Sequence, residues 1–280
     1  MILASLLFAV TTTLVRIASN SLSGSFVSTI RFTVGGAAAI AWLKFSGRGF
    51  KVVNKKDWLL RGLYGSVSMT CTYLAIAWTS GGRSTMLSNT YPIFVALFGS
   101  LFFGSKLLPT AIPALALCTV GSVVILNDGA GYSLLGDGLA LVAAMLAGMA
   151  VNHLKRARTT EDPVSLYLSA CMFGLPVAAA LAAGSGGLPT RLPLVPLLLS
   201  VLLGLVVFAA QILMTWAYKY VSAARGSRIF YLETVFAVGF GALIGERLKP
   251  AFFLGAAIIM GALWLDGAAQ ARRAARSAAQ

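Results

Sequence analysis

The chain has 280 residues, 58% hydrophobic and 11% charged, with a mean hydropathy of +0.86 and a net charge of +14. A soluble domain carries roughly 25% charged residues, and a core of this size cannot hide so much apolar surface. A soluble enzyme and a nucleic-acid-binding domain are therefore excluded, and a polytopic membrane protein is read in their place.

Apolar runs give ten predicted spans. Helix 1 is predicted over Ile2–Ile17, carrying Thr11, Thr12 and Thr13, and helix 2 over Phe26–Phe45, with Arg31 in its first turns. A basic loop follows, with Lys44, Arg48, Lys51, Lys55 and Lys56, and Arg61 just beyond Asp57 and Trp58. Helix 3 is predicted over Trp58–Thr79. A tight turn, Ser80-Gly81-Gly82-Arg83, leads to helix 4, which ends near Phe103. Helix 5 is predicted over Pro109–Leu126, helix 6 over Leu139–Leu154, helix 7 over Pro163–Ala183 and helix 8 over Leu194–Tyr220. Helix 9 is predicted over Ala224–Ile244 and helix 10 over Pro250–Leu265, followed by a basic tail with Arg272, Arg273 and Arg276. The first apolar run has no basic region ahead of it, so it is not read as a cleavable signal. It begins so close to Met1 that missing native residues before it stay open.

With both termini placed in the cytoplasm, only Arg16, Arg31, Arg83, Arg191, Arg247 and Lys249 fall outside or at the outer margin. The rest of the 22 Lys and Arg fall inside, which favours that orientation.

The two halves match in register. Ala75 meets Ala217, Ser80 meets Ser222, Arg83 meets Arg225, Phe94 meets Phe236, Phe98 meets Phe240 and Gly99 meets Gly241. One residue out of step, Gly104 meets Gly245, Leu107 meets Leu248 and Pro109 meets Pro250. Five helices per half is an odd number, so the second half enters the membrane from the opposite side. The expected fold is an all-α membrane protein of ten transmembrane helices built as two inverted five-helix repeats. Residues 1–127 and 136–268 form the repeats, 128–135 the connecting loop and 269–280 the basic cytoplasmic tail. Inverted repeats with interrupted helices point to a transporter whose site lies near mid-membrane. A duplicated helical scaffold without transport is the plainer reading.

The stretch Pro92 with Gly104-Ser105-Lys106-Leu107, and its partner Leu232-Glu233-Thr234 with Gly245-Glu246-Arg247-Leu248, resembles the EamA-type branch of the drug/metabolite transporter superfamily. The resemblance covers nearly the whole chain. It departs at Thr234, where a Pro is usual, and at Ser105, where a Glu is usual. It implies ten helices in two inverted repeats and export or exchange of small metabolites, with similarity to bacterial amino-acid exporters, aromatic ones included. It further implies a central site among helices 1, 3, 4, 6, 8 and 9 and alternating access across the inner membrane. A broad drug or organic-cation exporter of the same fold is the alternative.

Candidate site residues are polar or aromatic groups inside spans. Glu233 is foremost, because an intramembrane carboxylate costs roughly 3 kcal/mol and must face protein or water. It reads as a contact for a substrate ammonium, as a proton site for coupling, or as a structural acid paired with Arg31, Arg228 or a hydroxyl. Tyr91 is its repeat counterpart, with Asn89 and Tyr231 nearby. Gln211 and Thr215 share a face of helix 8 with Phe208 and Tyr218, and Trp216 lies beside them. Tyr73 shares a face of helix 3 with Ser66 and Thr70. These faces read as a pathway wall or as helix seams.

Arg31 reads as a contact for a substrate carboxylate or, more simply, as a snorkelling side chain. Trp78, Tyr218 and Tyr220, near helix ends, read as an aromatic belt. His153, the lone histidine, reads as a proton relay or an interfacial residue, with Asn152 beside it. Pro92 reads as a hinge or a kink. Gly241 and Gly245 form a GxxxG packing motif. Cys71, Cys118 and Cys171 lack metal spacing and read as small hydrophobes. The sequence carries no phosphate-binding loop, metal motif or catalytic set, so no cofactor, metal or enzyme activity is expected. The expected partners are a small-molecule substrate and the lipid bilayer, with protons as a coupling ion and no nucleic acid.

Overall fold

A computed structural model of the chain describes residues 1–47, 49–78, 81–105, 109, 111–127, 133–184, 187–189, 192–243 and 249–278. Lys106, Leu107, Gly245, Glu246, Arg247 and Leu248, which close the two matching stretches, lie outside the described residues, as do the side chains of Tyr73 and Arg83.

The described residues form twelve helical segments and no strand. These are α1 (Ile2–Ser19), α2 (Gly24–Phe45), α3 (Lys55–Trp78), α4 (Gly81–Ser88), α5 (Tyr91–Phe102) and α6 (Ala111–Leu126), then α7 (Leu134–Ala157), α8 (Pro163–Gly184), α9 (Leu194–Ala217), α10 (Ala223–Ile229), α11 (Tyr231–Leu243) and α12 (Pro250–Ala278). Seven stretches among them are long and apolar enough to cross a membrane, Ser84–Phe102 counting as one across its break.

The order agrees with the ten predicted spans, but predicted helices 4 and 9 are each broken in two. At the first break, Thr90 Oγ1 donates to Leu87 O at 2.6 Å and the Thr90 amide bonds the same carbonyl at 3.1 Å. A tight last turn thus satisfies what the helix end would orphan. Pro92 falls in the first turn of α5, where it has no hydrogen bond to lose. It starts a segment and does not kink the middle of one. At the second break a single residue, Phe230, donates from its amide to Ser227 O at 3.2 Å, while its own carbonyl accepts from the Glu233 amide at 3.0 Å. Glu233 therefore sits in the first turn of α11, where the helix dipole favours a carboxylate.

Other boundaries shift for local reasons. Ser133 caps α7, accepting from the Gly136 amide at 3.2 Å, so that helix starts a turn earlier than its hydropathy indicates. Gly81 and Gly82 belong to the first turn of α4 and not to a turn between helices. The basic tail continues α12 as helix to Ala278.

Packing centres on α3 and α9. The first lies against α7 and α8, the second against α1 and α2. The pair α6 and α12 packs together, with Gly121 and Gly255 meeting backbone to backbone. Gly62 lets α3 approach the Ser169 carbonyl of α8 closely. Large apolar side chains such as Ile40, Phe45, Leu101, Leu198 and Phe253 are exposed, the distribution expected where lipid is the solvent.

Candidate transport site

Inside the bundle lies a cavity of about 230 Å³. Its wall is drawn from α1, α2, α3, α5, α7, α8, α9 and α11, with Phe230 from the second break. It brings together three charged side chains, Arg31, Arg61 and Glu233, with Gln211, Tyr91 and Tyr218.

Arg61 comes from α3 and is 6% exposed. Its Nη2 donates to Gln211 Oε1 at 3.4 Å, a long bond, and its buried Nε has no partner among the described residues. The guanidinium lies back over Gly65, where any Cβ would collide with Nη1. Arg31, from α2, is half-buried. Its Nη2 points at Met69 Sδ, a weak thioether acceptor, and its Nε is also buried without a partner. Its guanidinium stands 4.5 Å from the centroid of the Phe32 ring. Two guanidinium groups are thus held in the wall with donors to spare. Burying such groups unmatched is costly, so the arrangement is one that an anionic ligand group completes.

Glu233 has no ion-pair partner among the described residues. Arg228, considered as its partner from sequence, instead bonds Asp266 at 2.7 Å, joining α10 to α12 in the protein interior. The first turn of α11 carries Glu233 into the cavity wall.

Of the other sequence-predicted residues, Tyr91 and Gln211 line the cavity with Glu233. Asn89 donates to Thr234 Oγ1 at 3.1 Å, tying the first break to α11. Tyr231 is buried, with its hydroxyl 2.7 Å from Thr119 Oγ1 on α6. Thr215 is buried outside the cavity wall with no partner for its hydroxyl. Trp216 is 53% exposed and meets Tyr220 edge-on. Pro92 is buried next to Tyr91 in the same first turn.

His153 lies outside the cavity wall, in a polar cluster of its own. Its Nδ1 is 2.7 Å from Asp57 Oδ1, and since a carboxylate only accepts, the ring nitrogen donates. The ring stacks on Tyr64 and meets Phe103 edge-on. Asp57 also accepts from Asn54 Nδ2 at 2.6 Å and forms an ion pair with Arg156, whose Nε lies 3.2 Å from Oδ2. Close by, Glu161 Oε1 accepts from the Val53 and Asn54 amides at 2.8 and 2.5 Å. Trp58 Nε1 donates to Ser165 O at 2.8 Å. Asn152, next to His153, holds Val95 O of α5 at 3.0 Å.

Two wall residues, Arg61 and Tyr167, escape a reading of the sequence, and a third, Tyr218, is read there both as a pathway wall and as an interfacial residue. Arg61 stands beside a basic loop and reads there as a topology charge. Tyr218 reads as part of an interfacial belt, yet it is 0% exposed and lines the cavity, whereas Tyr220 and Trp78 are exposed. Tyr167 lies in an apolar run with little to mark it; its buried side chain lines the cavity beside Cys171.

A polar, charge-bearing chamber lined by membrane-length helices, with two broken helices in its wall, defines a membrane transporter. The chain belongs to the EamA-like transporter family, which matches residues 1–127 and 134–265. As a member it performs transport and not catalysis. It is 26% identical over 265 residues to the pseudopaline exporter of Pseudomonas aeruginosa, covering 92% of this chain and 91% of that one. It is 23% identical over 261 residues to an uncharacterized transporter of Archaeoglobus fulgidus, covering 92% and 81%. A solved crystal structure superposes with a TM-score of 0.81 at 20% identity, over 97% of this chain and 96% of that one, a likeness of fold.

Proposed function

We propose that the protein exports small organic metabolites, amino acids first among them and aromatic ones included, across the bacterial inner membrane by alternating access. The observation that carries this reading is the meeting of Glu233 with Arg31 and Arg61 in one cavity. A carboxylate and guanidinium groups in one chamber complement a ligand that carries both an ammonium and a carboxylate. The likeness to a protein named as an exporter supports the direction of transport.

In this reading Glu233 takes the ammonium, with Tyr91 beside it, and Arg61 with Gln211 takes the carboxylate. Asn89, Tyr231 and Pro92 fix the segments that present these groups, and Tyr73, Thr215 and Trp216 keep their sequence-based assignment as substrate contacts. Glu233 and His153 are the proposed proton-coupling groups.

Residues 1–127 and 136–268 are the proposed inverted repeats, joined by 128–135, with both termini and the tail 269–280 in the cytoplasm. The packing supports this division. Exchanging the halves turns the α3–α7 contact into α9–α1 and the α3–α8 contact into α9–α2, and each of these contacts is present. The α5–α7 contact likewise has its counterpart in α11–α1. An organic-cation exporter would use Glu233 and the aromatic groups alone; two guanidinium groups in the wall count against it.

The test is counterflow in proteoliposomes, following labelled phenylalanine and threonine against single unlabelled amino acids. The Glu233→Gln variant is expected to weaken amino-acid affinity by roughly tenfold or more, since hydrogen bonds to charged groups contribute about 1.5–3 kcal/mol. If affinity and pH dependence are both unchanged, Glu233 is a structural acid. Flux of organic cations without amino-acid flux would replace the reading by its alternative.

A further inference from the structure

The cavity holds more cationic than anionic side chains, and the two cations are spaced along one helix. Arg61 and Arg31 meet α3 at different levels: the Arg61 guanidinium lies over Gly65, and the Arg31 guanidinium lies against Met69. Gly65 and Met69 are about one turn apart on α3, roughly 6 Å along its axis from Cα to Cα. Ser66 and Ser68 lie between them in sequence and line the same wall. Among the described residues both guanidinium groups keep a buried Nε without a partner, and the acceptors they do have, an amide oxygen at 3.4 Å and a thioether, are weak.

A simple amino acid brings one carboxylate and would leave one of these cations unanswered. Two carboxylates joined by a short carbon chain would answer both, and Glu233 would answer an ammonium. We propose that the preferred substrate class is an amino acid or related amine bearing two carboxylates, with Arg61 and Gln211 holding one and Arg31 the other. This rests on the amino-acid reading above and narrows it. The size of the chamber agrees: at about 230 Å³ it is smaller than the ~300–1,000 Å³ of sites for drug-sized ligands.

The experiment compares charged and uncharged twins of one shape. Proteoliposomes preloaded with unlabelled compound are tested for counterflow of labelled glutamate and aspartate, with glutamine, asparagine and phenylalanine as competitors. The expected result is that glutamate or aspartate competes at a concentration at least tenfold lower than its amide, a margin in line with one charge-assisted hydrogen bond. In Arg31→Gln that margin is expected to vanish, with glutamate losing at least tenfold more affinity than glutamine; Arg31→Lys is expected to keep part of it. The comparison in the unaltered protein stands even where a variant fails to fold. Equal competition by glutamate and glutamine overturns the proposal and leaves the amino-acid reading intact. Absence of any amino-acid flux, in protein that shows a cooperative thermal transition, overturns both.

Discussion

Gly65 offers a way to displace Arg61 without replacing it. A Cβ at residue 65 would overlap Arg61 Nη1, with Arg61 Cζ at 3.6 Å and Ala150 Cβ at 3.9 Å as its next neighbours. The obstacle is the end of a long side chain, and no backbone atom blocks the space. Gly65→Ala therefore fits once the guanidinium swings aside. Inside a helix the substitution also gains about 1 kcal/mol of propensity, so the fold is expected to hold or tighten. The ligand would lose a charge-assisted hydrogen bond of about 1.5–3 kcal/mol, which corresponds to roughly 10- to 150-fold weaker apparent affinity. Two readouts are needed together: the half-saturating concentration in counterflow, and the thermal transition of the protein in detergent. An unchanged transition with weakened affinity supports Arg61 as a ligand contact. An unchanged transition with unchanged affinity refutes it, because the guanidinium would then have moved without consequence.

Two further substitutions probe the frame around the site. Asp266→Ala strands the buried Arg228 guanidinium, whose Nε already lacks a partner. It is expected to cost about 3–5 kcal/mol, read as a lowered thermal transition, and replacing both residues by apolar ones of similar volume is expected to restore most of it. Tyr231→Phe removes the 2.7 Å contact with Thr119 on α6. The expected loss is about 1 kcal/mol of stability with transport affinity preserved, and a large loss of affinity at full stability would instead make Tyr231 a substrate contact.

The helices are legible in the sequence because a bilayer imposes a length and a composition on each span. The breaks are legible only in part: polar residues and a proline within two apolar runs mark interrupted helices, but hydropathy averages over Asn89-Thr90 and over Phe230, and a proline there looks the same whether it kinks a helix or starts one. Glu233, Tyr91 and Gln211 can be picked out as polar or aromatic groups deep within apolar runs. Arg61 cannot: Lys55, Lys56 and Asp57 stand at the start of its helix, and a cation close behind them looks like one more topology charge. Only the folding of α3 against α7, α8 and Gln211 of α9 turns it inward. Tyr218 can be read both ways, by its shared face with Gln211 and by its place near a helix end, because position near an end says nothing of what packs over that end.

The cluster around Asp57 carries a consequence for how fast such a carrier turns over. It fastens residues 53–58 to residues 153–165, stretches far apart in the chain, through His153, Arg156, Glu161 and Ser165. Separating these stretches means breaking several bonds of about 1 kcal/mol or more each. These residues lie outside the cavity wall, so under the alternating access proposed above their bonds would shift the balance between conformations without altering which organic molecule the chamber recognises. In that mechanism a ligand arriving on whichever side is closed meets only the fraction of molecules open there, and its apparent affinity falls by that fraction. Directionality can thus be written into the polypeptide at a distance from its specificity, with each adjustable by substitutions that leave the other alone.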